Sequence, residues 1–150
     1  MPRPNIKAID LKEVKPLRER WLVEPGLMSD VELPLDRQRS AHHLGAIMKG
    51  KIFGIVTIHH EPRPAMVEPK AWRMQAIAVA PGLRGEGIGR LLVECASRHV
   101  VRNGGKLLWA NVPVEIVDFY RAVGFEVAGD PFEGADRGPQ HRVLMKPKAR

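Results

Sequence analysis

Residues 75–92, QAIAVAPGLRGEGIGRLL, decide how the rest of the chain is read. The run opens with the alternation of a strand, Ile77 and Val79 on one side and Ala76 and Ala78 on the other, and Pro81-Gly82 stops it. From Ile88 the apolar residues fall at helical spacing through Leu91, Leu92, Cys95 and Ala96. Arg84-Gly85-Glu86-Gly87-Ile88-Gly89 joins the two. The first amides of a helix have no intrahelical partner and carry the positive end of its dipole, and glycines let an anion approach that backbone. The stretch is expected to form a strand, a phosphate cradle and a helix.

Different cradles demand different residues. A P-loop needs Gly-Lys-Ser/Thr, with a lysine for the terminal phosphates, and this stretch has none. A dinucleotide fingerprint needs G-x-G-x-x-G and an acidic residue about 20 positions later. Here the spacing is Gly85-x-Gly87-x-Gly89, and the later region is the apolar Leu107-Leu108-Trp109. What remains is Arg84-x-x-Gly87-x-Gly89, with a glycine-rich turn that holds no ligand as its plain alternative.

Composition narrows the classes further. A chain of 150 residues is expected to form one domain, 1–150, and to bury roughly 70% of its unfolded surface. With 44% hydrophobic and 27% charged residues it is not a disordered composition. No apolar run approaches the ~20 residues of a membrane span, and the start MPRPNIKAID lacks a signal-peptide core, so a cytoplasmic location and no membrane partner are expected. Cys95 is the only cysteine, which excludes an internal disulfide framework and a thiolate metal cluster. In the apolar stripe after the cradle it reads as a small buried thiol rather than a nucleophile. The net charge of +7 raises the question of nucleic acid. The basic residues are scattered, however, and aromatic content is 5%, without zinc-finger spacing or an aromatic RNA-binding signature, so no nucleic-acid partner is expected. The one local basic cluster, Arg142, Lys146, Lys148 and Arg150, is a solvated face or an attraction for a polyanionic cofactor.

Along the chain, residues 6–10 read as a first strand and 11–23 as a helix with mixed periodicity, ended by Pro25-Gly26 and with Pro16 in its first turn. Residues 27–39 are irregular. Residues 41–48 and 51–60 form a hairpin through Lys49-Gly50, and 72–79 the central strand. Asn103-Gly104-Gly105 stops the cradle helix, and 106–111 is a strand expected to lie parallel to 72–79 and beside it. Pro113 suits a first helical position; Ile116, Phe119, Tyr120 and Val123 make an apolar stripe, and Gly124 closes that helix. Residues 125–129 and 141–145 are the last strands, paired through 130–139.

Arg84-x-x-Gly87-x-Gly89 resembles the Q/R-x-x-G-x-G/A signature of the GCN5-related N-acetyltransferases (the GNAT superfamily), which cradle the pyrophosphate of acetyl-coenzyme A. Tyr120-Arg121-Ala122-Val123-Gly124-Phe125 resembles the family's Y-x-x-x-G-F ending, and the element order matches over almost the full chain. The resemblance implies an α/β fold: a single GNAT-like domain whose mixed central sheet has antiparallel N-terminal strands and a splayed parallel pair, flanked by helices. It also implies a wedge between the strand ending at Val79 and the one ending near Asn111, where the pantetheine arm lies along Ile77, Ala78 and Val79. The amides of Arg84, Gly85, Glu86, Gly87, Ile88, Gly89 and Arg90 would hold the pyrophosphate. Asn111 offers an amide to the same arm or is a strand-terminal turn residue. Glu86 departs from the family's neutral or basic residue, and spares the phosphate if it points outward. Residues 27–39 lie where the family often shapes its acceptor site.

The same resemblance gives Tyr120 the role of acid. Attack on the thioester releases a thiolate, and a phenol of pKa ~10 beside a thiol of pKa ~8.5 can protonate it or hydrogen-bond to it. A core aromatic with a satisfied hydroxyl is the alternative. An amine acceptor of pKa ~10.4 must also lose a proton, and His59, His60 and Glu61 are the candidate bases beside plain packed or exposed roles. Arg73 stands where some lysine-acetylating relatives carry a carboxylate; it either binds a carboxylate on a small acceptor or is a surface arginine. The hairpin places His42 opposite about Thr57 and diagonal to His59, too few ligands for a metal site, so none is expected. The reading is an N-acetyltransferase with acetyl-coenzyme A as co-substrate and direct attack by a primary amine in a ternary complex, with neither an acetyl-cysteine nor a metal. The acceptor is a small amine or amino acid derivative ahead of a protein amine, and a homodimer stays open. A non-catalytic acyl-coenzyme A-binding or sensing module of the same fold is the alternative.

Overall fold

In the computed structural model, which describes residues 3–134 and 138–149, seven strands hydrogen-bond in the order β1-β2-β3-β4-β5-β7-β6. The elements are β1 (Asn5–Ile9), α1 (Leu11–Arg18), β2 (His42–Met48), β3 (Lys51–His60), β4 (Ala71–Val79), α2 (Ile88–Arg102), β5 (Leu107–Pro113), α3 (Val117–Ala122), β6 (Glu126–Glu133) and β7 (Pro139–Met145). The pairs β1/β2, β2/β3, β5/β7 and β6/β7 are antiparallel, and β4/β5 is parallel. The expected α/β fold with a mixed sheet is therefore present, with β4 in the middle. Part of the expected connection 130–139, and Arg150 of the basic cluster, lie outside the described residues. The chain forms two compact units, Met1–His59 with Met74–Ala96, and His60–Arg73 with Ser97–Arg150.

The first unit is built on the β2–β3 hairpin. Lys49 (φ 51°) and Gly50 (φ 75°) are both left-handed, the geometry whose twist matches a tight antiparallel pair. The register then slips between Ala46 and Ile47: Ala46 faces Gly54 while Ile47 faces Ile52, leaving Phe53 as the extra residue of a bulge. That insertion corrects the expected histidine register. His43, not His42, faces Thr57, and His42 faces Ile58. Against this sheet Val14, Trp21, Leu22, Met28, Ile55 and Ala78 form a core cluster. The α1 helix starts at Leu11, fixed by the Glu13 carboxylate accepting the Asp10 N–H at 3.0 Å. Pro16 consequently falls in the second turn rather than the first, and the chain continues as a wider π turn over Glu19–Val23.

The cradle helix seats on β3 at a glycine. A Cβ on Gly54 would stand 2.9 Å from Ile88 Cγ2 and 3.0 Å from Leu92 Cδ1, and both of those residues are fully buried. Replacing Gly54 with valine is expected to destabilise the protein by about 1–3 kcal/mol through overpacking, read by urea unfolding. An unchanged midpoint would mean that α2 does not bear on β3 there.

The second unit closes the crossover. Gly105 donates its N–H to Val100 O at 2.8 Å, and any Cβ there would collide with Val100 and come within 2.8 Å of Trp72 Cδ1. β4 and β5 pair through Ala71↔Leu107, Trp72↔Leu108 and Arg73↔Trp109, as the short crossover predicts. Pro113 ends β5 opposite Gln140 and does not start a helix; a 3-10 turn, Val114–Ile116, intervenes before α3. Val117 and Tyr120 are the buried residues of α3, while Phe119 and, in the turn before it, Ile116 are exposed. Gly124, at φ 113°, ends α3 where expected, with Phe125 N–H donating to Tyr120 O at 2.9 Å. The last strands are longer than their apolar runs: β6 reaches Glu133, with a register irregularity between Ala128 and Phe132.

Candidate functional site

The cradle lies wholly in the first unit. Residues Pro81–Leu83 make a 3-10 turn after β4, and α2 begins at Ile88. Gly85 (φ 82°) and Gly87 (φ 87°) are left-handed, a conformation that side chains with a Cβ rarely adopt, and a Cβ at either would meet open space. Leu91 N–H donates to Gly87 O at 3.1 Å, closing the first turn of the helix. The amides of Ile88, Gly89 and Arg90 precede that bond, in positions with no intrahelical acceptor. Arg84, Gly85, Glu86, Gly87 and Arg90 are exposed, Gly89 is half-buried, and Ile88 is buried as the anchor. The arrangement offers a solvent-facing run of backbone donors at the positive end of a 15-residue helix, suited to a phosphate group.

The strand that feeds this loop is not regular. Ala76, in the middle of β4, has φ 54°, a left-handed backbone that costs a non-glycine residue about 1–2 kcal/mol. Such a residue breaks the pleat and takes its neighbours' amides and carbonyls out of an even ladder. Ile77 and Val79 are half-buried and Ala78 is buried. Arg84 Nε donates to Val79 O at 3.3 Å, folding the loop back on the strand end. Ala80 N–H donates to the carbonyl of the bulged Phe53 at 2.8 Å. A depression of about 500 Å³ beside the loop is lined by Lys49, Lys51, Phe53, Ala80, Gly82 and Leu83. The two lysines bring positive charge to the start of the cradle, and the sequence reading missed them because a hairpin turn carries no signal of what lies next to it.

The other expected residues, His59 apart, sit in the second unit. Tyr120 is buried, its ring edge-on to Phe119 at 5.1 Å and to Phe125 at 5.7 Å between centroids. Burial pushes its phenol up from the ordinary value of 10.0, so it holds its proton. Asn111 lies on β5, and its Oδ1 accepts from Arg142 Nε at 3.2 Å. Of the candidate bases, His59 in the first unit meets Gln75 Oε1 through Nε2 at 2.8 Å. In the second unit His60 Nε2 donates to Pro69 O at 2.8 Å, and Glu61 accepts from Arg63 Nε at 3.0 Å and from Arg73 Nη1 at 3.3 Å. Arg73 is not a surface arginine: its side chain is 18% exposed and lies against Trp109.

Sequence reading also missed a buried polar network in the first unit. Arg18 is fully buried and donates to Asp36 through Nη1 at 2.7 Å and Nη2 at 2.9 Å, to Val31 O at 2.8 Å and to Thr57 Oγ1 at 2.8 Å. His43 Nδ1 meets the same Thr57 hydroxyl at 2.8 Å. Charged residues in an irregular segment read as solvated, and only the fold shows that Asp36 turns inward. The network ties the segment around residues 31–36 to β2 and β3.

The acetyltransferase (GNAT) family model matches residues 11–125. The uncharacterized N-acetyltransferase YitI of Bacillus subtilis is 23% identical over 142 residues, 95% of each chain. Among solved structures, an aminoglycoside 6'-N-acetyltransferase complexed with coenzyme A is similar with a TM-score of 0.74 at 15% identity, over 97% of this chain and 98% of that one. A spermidine N-acetyltransferase chimera from Vibrio cholerae and hSSAT is similar with a TM-score of 0.72 at 14% identity, over 97% and 96%.

Proposed function

The chain belongs to the GNAT acetyltransferase family, as an acyl-coenzyme A-dependent N-acetyltransferase with acetyl-coenzyme A as co-substrate, and we propose that its one domain passes the acetyl group directly to a small primary amine. The observation that carries the reading is the open, glycine-lined run of amides at the start of α2. In this reading the pyrophosphate rests on residues 84–90, and the pantetheine arm pairs with backbone groups of Ile77, Ala78 and Val79. Ala76 supports that pairing, because its left-handed turn frees the following amides from an even ladder. Asn111 holds the arm through its amide. Tyr120 donates a hydrogen bond to the leaving sulfur. The amine attacks the thioester carbon, the carbon–sulfur bond breaks, the thiolate takes up a proton, and the ammonium formed on the acceptor gives one up to solvent or a base. No covalent enzyme intermediate enters this sequence. An amine acceptor agrees with the aminoglycoside and spermidine acetyltransferases among the similar structures.

Calorimetric titration of the native chain with acetyl-coenzyme A, beside Gly87→Val, tests it. A β-branched residue at φ 87° is strained and fills the space in front of the amides, so at least a roughly tenfold loss of affinity is expected. Amine-dependent release of thiol must then accompany binding. A folded native chain that binds acetyl-coenzyme A without any such release is the coenzyme-sensing module instead, and one that does not bind removes the placement of the cradle.

A further inference from the structure

We propose that the acceptor carries an anionic group, a carboxylate or a phosphate, which Arg73 and Arg142, with Arg63 at the rim, bind beside Trp109. The inference rests on the acetyltransferase reading and adds the class of acceptor to it. Three guanidinium carbons stand around one indole, that of Arg73 at 4.7 Å, Arg142 at 4.9 Å and Arg63 at 5.1 Å from its centroid. Trp109 itself is fully buried, and its Nε1–H donates to Glu61 O at 2.9 Å. The register explains the convergence: Arg73 on β4 is opposite Trp109 on β5, Arg142 on β7 is opposite Asn111, and residues two apart on a strand share a face.

The charges do not balance. Glu61 is the one carboxylate paired with these three arginines among the described residues, bound to Arg63 and Arg73 but not to Arg142. Arg142 has Asn111 Oδ1 as its side-chain acceptor, and Arg73 Nε is buried with no acceptor among the described residues. Stacking on an indole accounts for one guanidinium or two. It does not account for a third cation packed within a Debye length of the others, where like charges raise the free energy of the folded state. Burial, with repulsion from the neighbouring arginines added to it, moves Arg73 and Arg142 downward despite the opposing pull of Glu61. An added anion relieves that repulsion and supplies the missing acceptors, in the forked geometry that guanidinium groups offer to carboxylate and phosphate. Arg63 keeps 42% of its side chain exposed, so the array is reached from solvent. The same array repels a polycation.

The test pairs acceptors that differ only in the anion: an α-amino acid with its carboxamide, and phosphoethanolamine with ethanolamine, with spermidine and kanamycin as polycations. Thiol release from acetyl-coenzyme A by the full chain is expected to show kcat/KM roughly 10- to 100-fold higher for the anionic member of one pair. Whichever pair discriminates identifies carboxylate or phosphate. Arg142→Gln and Arg73→Gln should erase the preference, and Arg142→Lys should restore part of it. Preference for an uncharged member or a polycation overturns the proposal, as does discrimination that survives both glutamine variants. If no acceptor releases thiol, titration of the free chain with inorganic phosphate decides. Heat lost in folded Arg142→Gln but kept in Gly87→Val supports the site, and any other pattern overturns it. Titration with acetyl-coenzyme A reports separately on the enzyme reading.

Discussion

Replacing Tyr120 with phenylalanine is expected to lower kcat on the order of 100-fold while leaving the affinity for acetyl-coenzyme A unchanged. The substitution removes one oxygen and keeps the ring, so the edge contacts with Phe119 and Phe125 survive and the melting temperature should hold. Burial raises the phenol above its ordinary value, which makes complete transfer of its proton to a thiolate of pKa ~8.5 uphill. Its contribution is then a hydrogen bond that strengthens as negative charge gathers on sulfur. Such an interaction belongs to the transition state and not to the bound thioester, and its loss appears in kcat and kcat/KM together. The sign of the shift adds a second expectation. A phenol raised in the folded state stays protonated through the alkaline range, so its ionisation puts no falling limb on kcat below about pH 10. Unchanged turnover in Tyr120→Phe, measured by thiol release at saturating substrates, would take the acid role away from this residue.

What could be read in advance divides by the range of the interactions involved. The cradle is written in consecutive residues: an alternating run, Pro81-Gly82, spaced glycines and then a helical stripe, each local in its physics. The parallel neighbour followed from the length of one crossover, and Gly124 from the end of a periodic stretch. Errors arose where one backbone event shifts everything after it. The bulge at Phe53 moves each histidine pairing by one residue, and the one local sign in KIFGIV, Gly54, fits a bulge and a close packing contact equally well. Ala76 is another such event, a left-handed alanine inside an alternating run, held there by tertiary structure against its own preference. The arginine array was out of reach for a different reason. Residues 63, 73, 109 and 142 meet only through the order of β4, β5 and β7, and sheet order is not a local property. Arg18 and Asp36 are the extreme case, because charge in a sequence argues for solvent and the fold overrules it.

Truncating Arg18 to alanine is expected to cost about 3–5 kcal/mol of stability, roughly 10 °C in melting temperature, because it strands the carboxylate of Asp36 in the interior. The Asp36 carboxylate would keep the Leu33 N–H, now at 2.6 Å, without its guanidinium partner, and Thr57 would lose the donor that orients its hydroxyl toward His43. Replacing Arg18 and Asp36 together, by methionine and leucine, should recover much of the loss, since an apolar pair of similar volume avoids the desolvation that the ion pair must offset. The pH dependence follows from two shifts of the same direction. Burial alone would raise Asp36, but its hydrogen bonds to Arg18 and Leu33 and the charge of Arg18 hold it below 3.8. Burial lowers His43 below 6.5, with Arg18 adding to it and Asp36 opposing. For both groups the unfolded chain binds the proton more readily, so each contribution is complete above the unfolded value and is lost as pH falls through the folded one. Stability should therefore decline first below about pH 6.5, where His43 must take up a proton, and again below about pH 4, where Asp36 does. In His43→Gln the first decline should flatten while the second remains, and in Asp36→Asn the second should vanish. A wild-type unfolding midpoint that stays level from pH 7 to pH 3 would mean that neither group is held in the buried state that joins the segment around residues 31–36 to the sheet.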